Sequence, residues 1–422
     1  MGVVNARNKT ILNSATLIHG VYRSLLNTGR TYAAFRPEQL KPLIERFKDH
    51  KEIFDPMAGY GCLMTYCSQS VYGKKTFNLE CNPPSYYWQV LIHPENIARF
   101  IQLSKSMLSK KKKWPRLKLD ACASNDWFPE SSLHLLGKLW AVCLESTKLI
   151  FEDPSKMTLA FLLPFVGRLG SFVQGNVVTH IKQGGICIYS GWDDDFEKYI
   201  NALINRLSDN LAKCKQGKHT LVLGDARTYK LGNKKFTAMV TSPPYPNGRD
   251  YSKMFAIENA FINWSVSKNY IEDVSLKTRL IGSPIVSESE GYRKKTPDDV
   301  KSTKAKEFLK FISEFNKTER AINDNRVYYV PYYSDYFYGL EKAFENISQY
   351  LNDEFEGYIV VVNNTARKKV IPVAEAVMEM WNNLNFNAEI DGIKELSHVG
   401  GINPRVKGLN ARHVEYTIKI FR

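Results

Sequence analysis

Seven short runs of β-forming residues recur along the 422-residue chain, and amphipathic helical patterns separate several of them. The runs span residues 53–56, 76–80, 220–225, 236–242, 357–362, 388–396 and 415–421. Most of them are continuously apolar, which is typical of strands buried on both faces of a parallel sheet. Helical patterns with one apolar face occur at residues 37–47, 336–351 and 373–384. Strands that alternate with helices in this way predict an α/β domain.

Two long stretches, at about residues 94–218 and 263–326, interrupt this alternation. The first is Lys-rich with helical character, and the second is highly charged. Structureless loops of such length are uncommon inside compact domains. Each stretch is therefore predicted to be a helical subdomain or a functional insertion.

The charge balance points to a polyanionic partner, because 58 Lys and Arg against 43 Asp and Glu leave a formal net charge of +15. The 44% hydrophobic and 12% aromatic content excludes global disorder. The longest apolar run, residues 159–166, contains Pro164 and is far shorter than the ~20 residues of a membrane span. We therefore expect a soluble, cytoplasmic protein with no membrane partner and no secretory signal. Seven cysteines without a CxxC pair indicate reduced thiols rather than a zinc site.

Acidic residues stand at the ends of three predicted strands. Asp55 is followed by a turn with glycines at positions 59 and 61, Glu80 ends the second strand, and Asp225 ends the third. Glycines permit a tight turn and close approach of a ligand to the backbone, although such turns occur in any α/β protein. An acid about 20 residues beyond such a turn binds ribose hydroxyls in nucleoside-binding sheets. The three strand ends predict a ligand site at one edge of the sheet.

The fourth predicted strand leads into Ser242-Pro243-Pro244-Tyr245. The two prolines fix the backbone and remove two N–H donors, so their carbonyl groups can be held towards a ligand. Tyr245 offers a stacking face for a base, and Ser242 offers a hydroxyl that accepts or donates a hydrogen bond. An ordinary Pro-rich turn could contain the same residues. Its position after the fourth strand, beside the predicted ligand edge, favours a functional role.

In these segments the chain resembles the S-adenosylmethionine-dependent amino-methyltransferases of DNA, which methylate cytosine N4 or adenine N6. The resemblance rests, in chain order, on Asp55-Pro56-Met57-Ala58-Gly59-Tyr60-Gly61, Glu80, Gly224-Asp225-Ala226 and Ser242-Pro243-Pro244-Tyr245. Upstream, residues 30–37 look like the family's further cofactor-contacting segment. The resemblance covers most of the chain outside the two insertions. It implies a Rossmann-like seven-stranded α/β sheet whose last strand is antiparallel, with two largely helical insertions.

The resemblance also implies a division of the chain. Residues 1–93 would start the methyltransferase core and carry the cofactor half, and residues 219–262 would form the catalytic part of the core. Residues 327–422 would complete the core. The insertions at 94–218 and 263–326 are the candidates for target recognition and DNA binding.

S-adenosylmethionine is the cofactor that the resemblance implies, without a metal. The turn at residues 55–61 would pass under its methionine part, Glu80 would bind its ribose, and Asp225 would hold its adenine amino group. The implied cofactor contacts are Tyr32, Phe35, Arg36, Asp55, Pro56, Met57, Ala58, Gly59, Gly61, Glu80, Cys81, Asp225, Ala226 and Ser242. Cys62 departs from the family, which often has a small hydroxyl residue there.

The implied catalytic residues are Ser242, Pro243, Pro244 and Tyr245. Ser242 and the Pro243 carbonyl would accept hydrogen bonds from the target amino group, and Tyr245 would stack on the extruded base. An exocyclic amine is a poor nucleophile because its lone pair is delocalised into the ring, and acceptors on its two hydrogens favour a pyramidal, reactive nitrogen. A duplex hides that nitrogen, so the base must be flipped out. The similar segment at residues 82–85 lacks the terminal aromatic and is interpreted as a loop after the ribose acid.

Double-stranded DNA is the predicted partner, and a cognate restriction endonuclease is a second candidate. The candidate DNA-binding residues are Lys111, Lys112, Lys113, Arg249, Tyr251, Arg293, Lys294 and Lys295. Any single basic run, including that at residues 367–369, is more often a solvated face than a binding site. The net charge nevertheless indicates that some of them contact phosphates. The sequence leaves the oligomeric state open.

Cytosine N4 is the favoured target, because Ser242 occupies a position where adenine-specific relatives more usually carry Asp or Asn. Adenine N6 is the alternative within this class. A different class remains open, namely a non-catalytic DNA-binding subunit or a restriction nuclease on the same scaffold. Asp299-Val300-Lys301 matches part of a nuclease site locally, but Asp298 is too close to it to serve as the separated acid, and the segment is typical of a charged loop or helix. The resemblance places the enzyme in a bacterial or phage restriction-modification system.

Overall fold

The structure is a computed structural model. It describes residues 35, 37–70, 73–115, 128, 130–174, 192–214, 217–246, 255–273, 280–283, 295–315, 325–367, 369–396 and 413–422.

A seven-stranded sheet forms the centre of the described structure. Its strands are β1 (Glu52–Asp55), β2 (Lys75–Glu80), β3 (His219–Leu223), β4 (Phe236–Thr241), β5 (Leu351–Asn363), β8 (Asn387–Leu396) and β9 (His413–Phe421), and a short hairpin of β6 (Thr365–Ala366) and β7 (Lys369–Val370) lies apart from them. The order is β3-β2-β1-β4-β5-β9-β8. The first five strands pair in parallel, and β9 is antiparallel to both β5 and β8. This confirms the predicted Rossmann-like methyltransferase sheet with an antiparallel last strand.

Helices flank the sheet. They are α1 (Pro37–Arg46), α2 (Cys62–Gln69), α3 (Pro83–Ile92), α4 (Pro94–Ser109), α5 (Glu130–Thr147), α6 (Pro154–Gln174), α7 (Trp192–Lys213), α8 (Ala256–Ser267), α9 (Thr303–Glu314), α10 (Val330–Ser348) and α11 (Val373–Asn382). Single turns of 3-10 helix occur at Lys111–Lys113 and Pro297–Asp299, and a π-helical turn at Asn325–Tyr329. None of the helices in the described ranges is long and apolar enough to span a bilayer.

The two faces of the sheet carry different cores, because successive side chains of a strand point to opposite faces. On one face Ile53 packs with the apolar residues of α1 and α2. On the other, Phe54 packs with residues of α9, α10 and α11, and its ring stacks on Phe236 with centroids 4.3 Å apart. Ile53 and Phe54 are both fully buried. The continuous apolar character of the parallel strands follows from this two-sided burial.

The described part of the first insertion is helical, as predicted. Helices α4 to α7 share one core with α3 and α8. Its large buried side chains include Trp140 and Tyr199, and the Tyr199 hydroxyl donates to the Phe161 carbonyl. Trp114, which follows the lysine run, is buried against Phe196 with ring centroids 5.0 Å apart. This tryptophan therefore anchors the lysine turn to the helical core.

The charged second insertion contains α9, which is strongly amphipathic. Phe308, Leu309 and Ile312 are buried against α10 and α11. The lysines of this helix, Lys304, Lys306 and Lys310, are exposed. Lys301, just before the helix, pairs with Glu345 of α10 at 2.6 Å. Packing of this helix into the core explains why a highly charged segment contains regularly spaced apolar residues.

Three predicted boundaries, both ends of α10 and the start of β5, were wrong. The helix was expected at residues 336–351 but begins at Val330, with Pro331 in its first turn, where a missing N–H costs no hydrogen bond. It ends at Ser348, because Leu351 instead begins β5 and pairs with Phe236 of β4. The strand therefore starts six residues before the predicted 357–362.

Candidate cofactor pocket and catalytic turn

A cleft that is open to solvent at its mouth lies at the carboxyl ends of β1, β2, β3 and β4. Most of its wall comes from the loops that follow these four strands. The lining residues are Phe35, Asp55, Pro56, Met57, Ala58, Gly59, Tyr60, Cys62, Glu80, Cys81, Asn82, Ser85, Gly224, Asp225, Ala226, Arg227, Ser242, Pro243, Pro244, Phe255, Leu280 and Ile281. The carboxyl edge is where open α/β sheets bind ligands.

The loop between β1 and α2 depends on its two glycines. Gly59 has φ 52° and Gly61 has φ 74°, both in the left-handed region that side chains other than glycine rarely adopt. A Cβ on Gly61 would lie 2.8 Å from Cγ of Gln89, whose Nε2 donates to the Gly59 carbonyl at 2.8 Å. A Cβ on Gly59 would meet nothing within 4 Å. Gly59 therefore leaves open space at the cleft wall, and Gly61 allows the loop to pack on α3.

Glu80 joins two loops at the end of β2. One carboxylate oxygen accepts from the Gly59 N–H at 2.6 Å, and the other accepts from the Asn82 N–H at 2.7 Å. The side chain is buried, and this burial raises its pKa to about 8 despite these hydrogen bonds. Because each carboxylate oxygen has a further lone pair, Glu80 can still accept hydrogen bonds from a ligand in the cleft.

Asp55 connects β1 to β4. Its Oδ1 accepts from the Thr241 hydroxyl at 2.9 Å and from the Met57 N–H at 3.2 Å. Burial raises its pKa to about 7. Asp55 and Glu80 thus place two buried carboxyls in one cleft, which suits a ligand with positive charge.

Asp225 is held in a bidentate ion pair with Arg227, two residues farther along. The shortest contact joins Arg227 Nη2 to Asp225 Oδ2 at 2.6 Å, and Nε lies 3.0 Å from each carboxylate oxygen. The Arg227 N–H also donates to Oδ1 at 2.8 Å. The loop is tied to the neighbouring strand by the Gly224 N–H, which donates to the Glu80 carbonyl at 2.9 Å. The orientation of the Asp225 carboxylate is thereby set before any ligand binds.

The Ser242-Pro243-Pro244-Tyr245 turn directly follows β4. The Ser242 and Tyr245 hydroxyls lie 3.2 Å apart, and Ser242, Pro243 and Pro244 line the cleft. A short segment of the second insertion packs over the turn at Gly282, which has φ 81°. A Cβ there would lie 3.4 Å from the Tyr245 carbonyl oxygen. This contact brings Leu280 and Ile281 into the cleft wall.

Most of the predicted cofactor and catalytic residues meet in this cleft. Those that line it are Phe35, Asp55, Pro56, Met57, Ala58, Gly59, Glu80, Cys81, Asp225, Ala226, Ser242, Pro243 and Pro244. Gly61 and Tyr245 lie immediately beside it through the contacts above. Tyr32 and Arg36 lie outside the described residues. The functional roles of these residues stay predictions.

Several lining residues were not predicted. Arg227 adjoins the predicted Gly224-Asp225-Ala226 segment, so its proximity was readable from the sequence. Asn82 and Ser85 belong to the segment expected to be a loop, but Pro83 and Pro84 instead begin α3, where proline is favoured. Leu280 and Ile281 lie far along the chain from the other loops, and no local pattern marks them.

Four of the candidate DNA-binding residues, Lys111, Lys112, Lys113 and Lys295, belong to the described structure. Lys111 pairs with Glu197 of α7, and Lys112 and Lys113 are exposed on the same turn. Lys295 lies 4.4 Å above the ring of Tyr338 on α10. Arg249, Tyr251, Arg293 and Lys294 lie outside the described residues. Their assignment to DNA stays a prediction.

Among the described residues, no group of three or more His, Cys, Asp or Glu side chains is arranged to hold a metal ion.

Comparison with known proteins finds no matching family model and no matching curated protein. Two solved structures of rRNA methyltransferase aviRa from Streptomyces viridochromogenes resemble the chain over nearly its whole length. One has 8% sequence identity and a TM-score of 0.30, with 98% of this chain and 96% of that chain covered. The other has 7% identity and a TM-score of 0.32, with 99% and 96% covered. TM-scores this low carry no functional argument, which leaves the strand order and the cleft as the basis for assignment.

Proposed function

We propose that the protein is an S-adenosylmethionine-dependent DNA methyltransferase that modifies the exocyclic amine of a flipped base, most favourably cytosine N4. One observation carries the proposal. A single cleft joins the glycine turn, Glu80 and Asp225 to the Ser242-Pro243 turn on a sheet of methyltransferase order. This arrangement supports a nucleoside-binding half beside an amine-acceptor turn.

The residues of the cleft fit such a cofactor. Glu80 has lone pairs for the ribose hydroxyls, and Asp225, oriented by Arg227, can accept from the adenine amino group. Gly59 leaves open space where a side chain would obstruct the methionine part. The Asn82 Oδ1, buried in this wall, has no hydrogen-bond partner among the described residues. When bound, the cofactor supplies an electrophilic methyl group.

The catalytic turn can activate an amine without a covalent intermediate. The Ser242 hydroxyl and the Pro243 carbonyl provide two acceptors beside the cofactor end of the cleft. Hydrogen bonds to both amino hydrogens favour the pyramidal nitrogen, whose lone pair then becomes available. The half-buried Tyr245 supplies an aromatic face for the extruded base.

DNA as the substrate is supported by the net charge of +15 and by the resemblance of the Ser242 turn to the amino-methyltransferases of DNA. Ser242, rather than Asp or Asn, favours cytosine over adenine. A cytoplasmic enzyme of a bacterial or phage restriction-modification system, with a cognate endonuclease as partner, is the setting that this substrate favours.

The nuclease alternative has weak local support. Asp299 accepts from the Thr296 N–H at 2.8 Å and caps a helical turn, and Val300 is buried. Lys301 pairs with Glu345. Both polar members of the nuclease-like element are therefore engaged in structural contacts.

Transfer of tritium from labelled S-adenosylmethionine tests the proposal. Duplex DNA and ribosomal RNA are offered separately to the purified protein, and the product is resolved by nucleoside chromatography. Labelled N4-methylcytosine from DNA is expected, and N6-methyladenine would correct the base. Labelled RNA with unlabelled DNA would overturn the DNA assignment. Absence of cofactor binding in calorimetry would favour the non-catalytic alternative.

A methylome of cells that express the protein would then identify the recognition sequence and its context. It would also locate the modified base independently of the purified enzyme.

A further inference from the structure

A basic and aromatic surface lies at the same edge of the sheet as the cleft and belongs to none of its walls. We name it the tyrosine–arginine patch, and it comprises Arg326, Val327, Tyr328, Tyr329, Arg367, Lys369 and Val370. The first four residues come from the π-helical turn before α10, and the others come from the β6–β7 hairpin after β5. A helix that precedes a parallel strand starts at the carboxyl edge, where that strand also ends. Both segments therefore lie at the carboxyl edge of the sheet, as the cleft does.

The patch exposes apolar and aromatic surface. Val327 is 59% exposed, Tyr328 43% and Val370 52%. Tyr328 is nevertheless fixed, because its ring stacks on that of Tyr332 with an interplanar angle of 17°. An exposed aromatic ring held in place by packing offers a ready face for a base.

Cations adjoin these rings. The Arg367 guanidinium lies 4.5 Å above the ring of Tyr329, and the Lys369 ammonium lies 4.3 Å above that of Phe311. The sequence from 325 to 329 and from 365 to 370 contains four basic residues and no acid. Stacking orients the guanidinium, and a guanidinium is the side-chain group best suited to bidentate contact with phosphate.

The backbone at Arg367 is strained. Its φ of 49° lies in the left-handed region, and a two-residue hairpin turn of this kind favours Asn or Gly. Arginine there costs about 1 kcal/mol relative to glycine. The neighbouring Ala366 and Ile371 are buried and hold the hairpin in position. A strained arginine presented by an anchored hairpin indicates a role for the guanidinium beyond folding.

The patch lies close enough to the catalytic turn for both to contact one strand of DNA. A Cβ on Gly282 would lie 3.4 Å from the Tyr245 carbonyl oxygen and 3.8 Å from Tyr336 of α10. Tyr336 follows Tyr329 by seven residues, which is about 10 Å along a helix axis. That distance corresponds to about three nucleotides of a B-form strand at 3.4 Å each.

From these observations we propose that the tyrosine–arginine patch binds the DNA strand that flanks the target base, with Arg367 and Lys369 on phosphates and Tyr328 stacked on a base. This inference rests on the proposed function for its choice of DNA. It adds a docking surface about three nucleotides from the catalytic turn.

The test measures binding of a short fluorescein-labelled DNA strand, and of its duplex, by fluorescence anisotropy across a salt series. Arg367→Asn removes the cation and relieves the strained φ, so we expect unchanged or higher thermal stability together with weaker binding. The slope of log Kd against log salt should fall by about 0.7 for the single strand. Tyr328→Ala should weaken binding about tenfold with little change in slope.

Arg422→Ala is the matched control. Its guanidinium also lies 4.5 Å above a ring, that of Phe386, but at the amino edge, where the backbone N–H of Arg422 donates to the Phe355 carbonyl. This variant should bind DNA as the unmodified protein does. Equal losses in Arg422→Ala and Arg367→Asn, or wild-type binding and slope in both patch variants, would overturn the inference.

Two further results separate this inference from the proposed function. Binding of DNA through the patch without methyl transfer would sustain the patch and overturn the proposed function. Methyl transfer at the wild-type rate, with wild-type affinity for DNA, in the patch variants would sustain the proposed function and overturn the patch. A dimer that Tyr328→Ala dissociates, seen by light scattering, would assign the patch to a second copy of the chain and overturn the DNA assignment.

Discussion

The Glu80 carboxylate accepts a hydrogen bond of 2.6 Å from the Gly59 N–H, and this contact fastens the glycine turn of β1 to the end of β2. The second carboxylate oxygen accepts from the Asn82 N–H at the start of α3. One buried side chain therefore positions both loops that form the base of the cleft.

Replacement of Glu80 by Gln is expected to abolish most cofactor binding. The glutamine side chain has one oxygen acceptor for two backbone donors, the N–H groups of Gly59 and Asn82. One of these N–H groups therefore loses its partner and faces the NH2 group of the glutamine. A buried unsatisfied donor costs about 1–3 kcal/mol. Isothermal titration calorimetry with S-adenosylmethionine should show at least a tenfold weaker affinity.

Glu341→Gln is the control for this variant. Glu341 is likewise buried and accepts from two backbone N–H groups, those of Lys301 and Ser302, but it lies on α10 outside the cleft. It should lose thermal stability and keep cofactor affinity. Equal losses of affinity in the two variants would show that Glu80 acts only through stability.

Cofactor affinity should depend on pH through Asp55 and Glu80. Burial raises their pKa values to about 7 and about 8, so both are largely protonated at pH 6 and ionised at pH 9. The sulfonium of S-adenosylmethionine is positively charged and favours the ionised carboxyls. Its affinity should therefore increase about tenfold or more from pH 6 to 9. S-adenosylhomocysteine, a neutral thioether, should show a smaller change, and parallel pH curves for the two ligands would contradict the assignment.

The stability of the protein without ligand should show the opposite trend. Carboxyls whose folded pKa lies above the unfolded value bind more protons when folded, so their contribution to stability is greatest below about pH 4. For Asp55 and Glu80 that contribution is lost as the pH rises to about 7 and about 8. Thermal unfolding with and without S-adenosylmethionine should show the largest ligand-induced increase in Tm above pH 8. An equal ligand-induced increase in Tm at pH 6 would contradict the link between cofactor binding and ionisation of Asp55 and Glu80.

Substitution of Gly61 by Ala should damage the cleft through a specific clash. The new Cβ would lie 2.8 Å from Cγ of Gln89, in addition to the cost of about 1–2 kcal/mol for a left-handed alanine. Gly232 also has a left-handed φ, 63°, but a Cβ there would meet nothing within 4 Å. Both variants should unfold at lower temperature, and only Gly61→Ala should lose cofactor affinity in calorimetry. Equal affinity in the two would place the glycine turn outside the cofactor site.

The catalytic turn can be tested separately from cofactor binding. Ser242→Ala removes one amine acceptor, and Tyr245→Ala removes the aromatic face, so each should lower kcat about 100-fold. Cofactor affinity should stay close to that of the unmodified protein. Ser313→Ala removes an exposed hydroxyl that bonds only its own helix carbonyl, at Lys310, and should leave turnover unchanged. Full methylation by both turn variants would remove the catalytic assignment.

Parts of the site were predictable because they are local in sequence. Asp55 and Glu80 end β1 and β2, whereas Asp225 lies two residues beyond β3, which ends at Leu223 rather than at the predicted 225. Parallel strands bring such ends to one edge. The Asp225–Arg227 pair spans two residues and could also have been predicted. In contrast, Leu280 and Ile281 reach the cleft because Gly282 packs close to the Tyr245 carbonyl. No periodic pattern in the sequence predicts this packing.

The tyrosine–arginine patch shows the same division. The basic run at residues 367–369 was visible in the sequence but was indistinguishable from a solvated face. The left-handed φ of Arg367 and its position over Tyr329 separate the two interpretations, and both depend on how β5 and α10 are placed.

The sequence by itself determined the α/β class, the presence of all seven sheet strands and the residues of the glycine and Ser242 turns, because these follow from periodicity and from short-range backbone chemistry. Only the tertiary structure decided the pairing of Leu351 with Phe236, the packing of the charged α9 into the core, and the closure of the cleft by Leu280 and Ile281. These contacts join residues far apart in the chain. Their free energy comes from burial that exists only once the sheet has assembled.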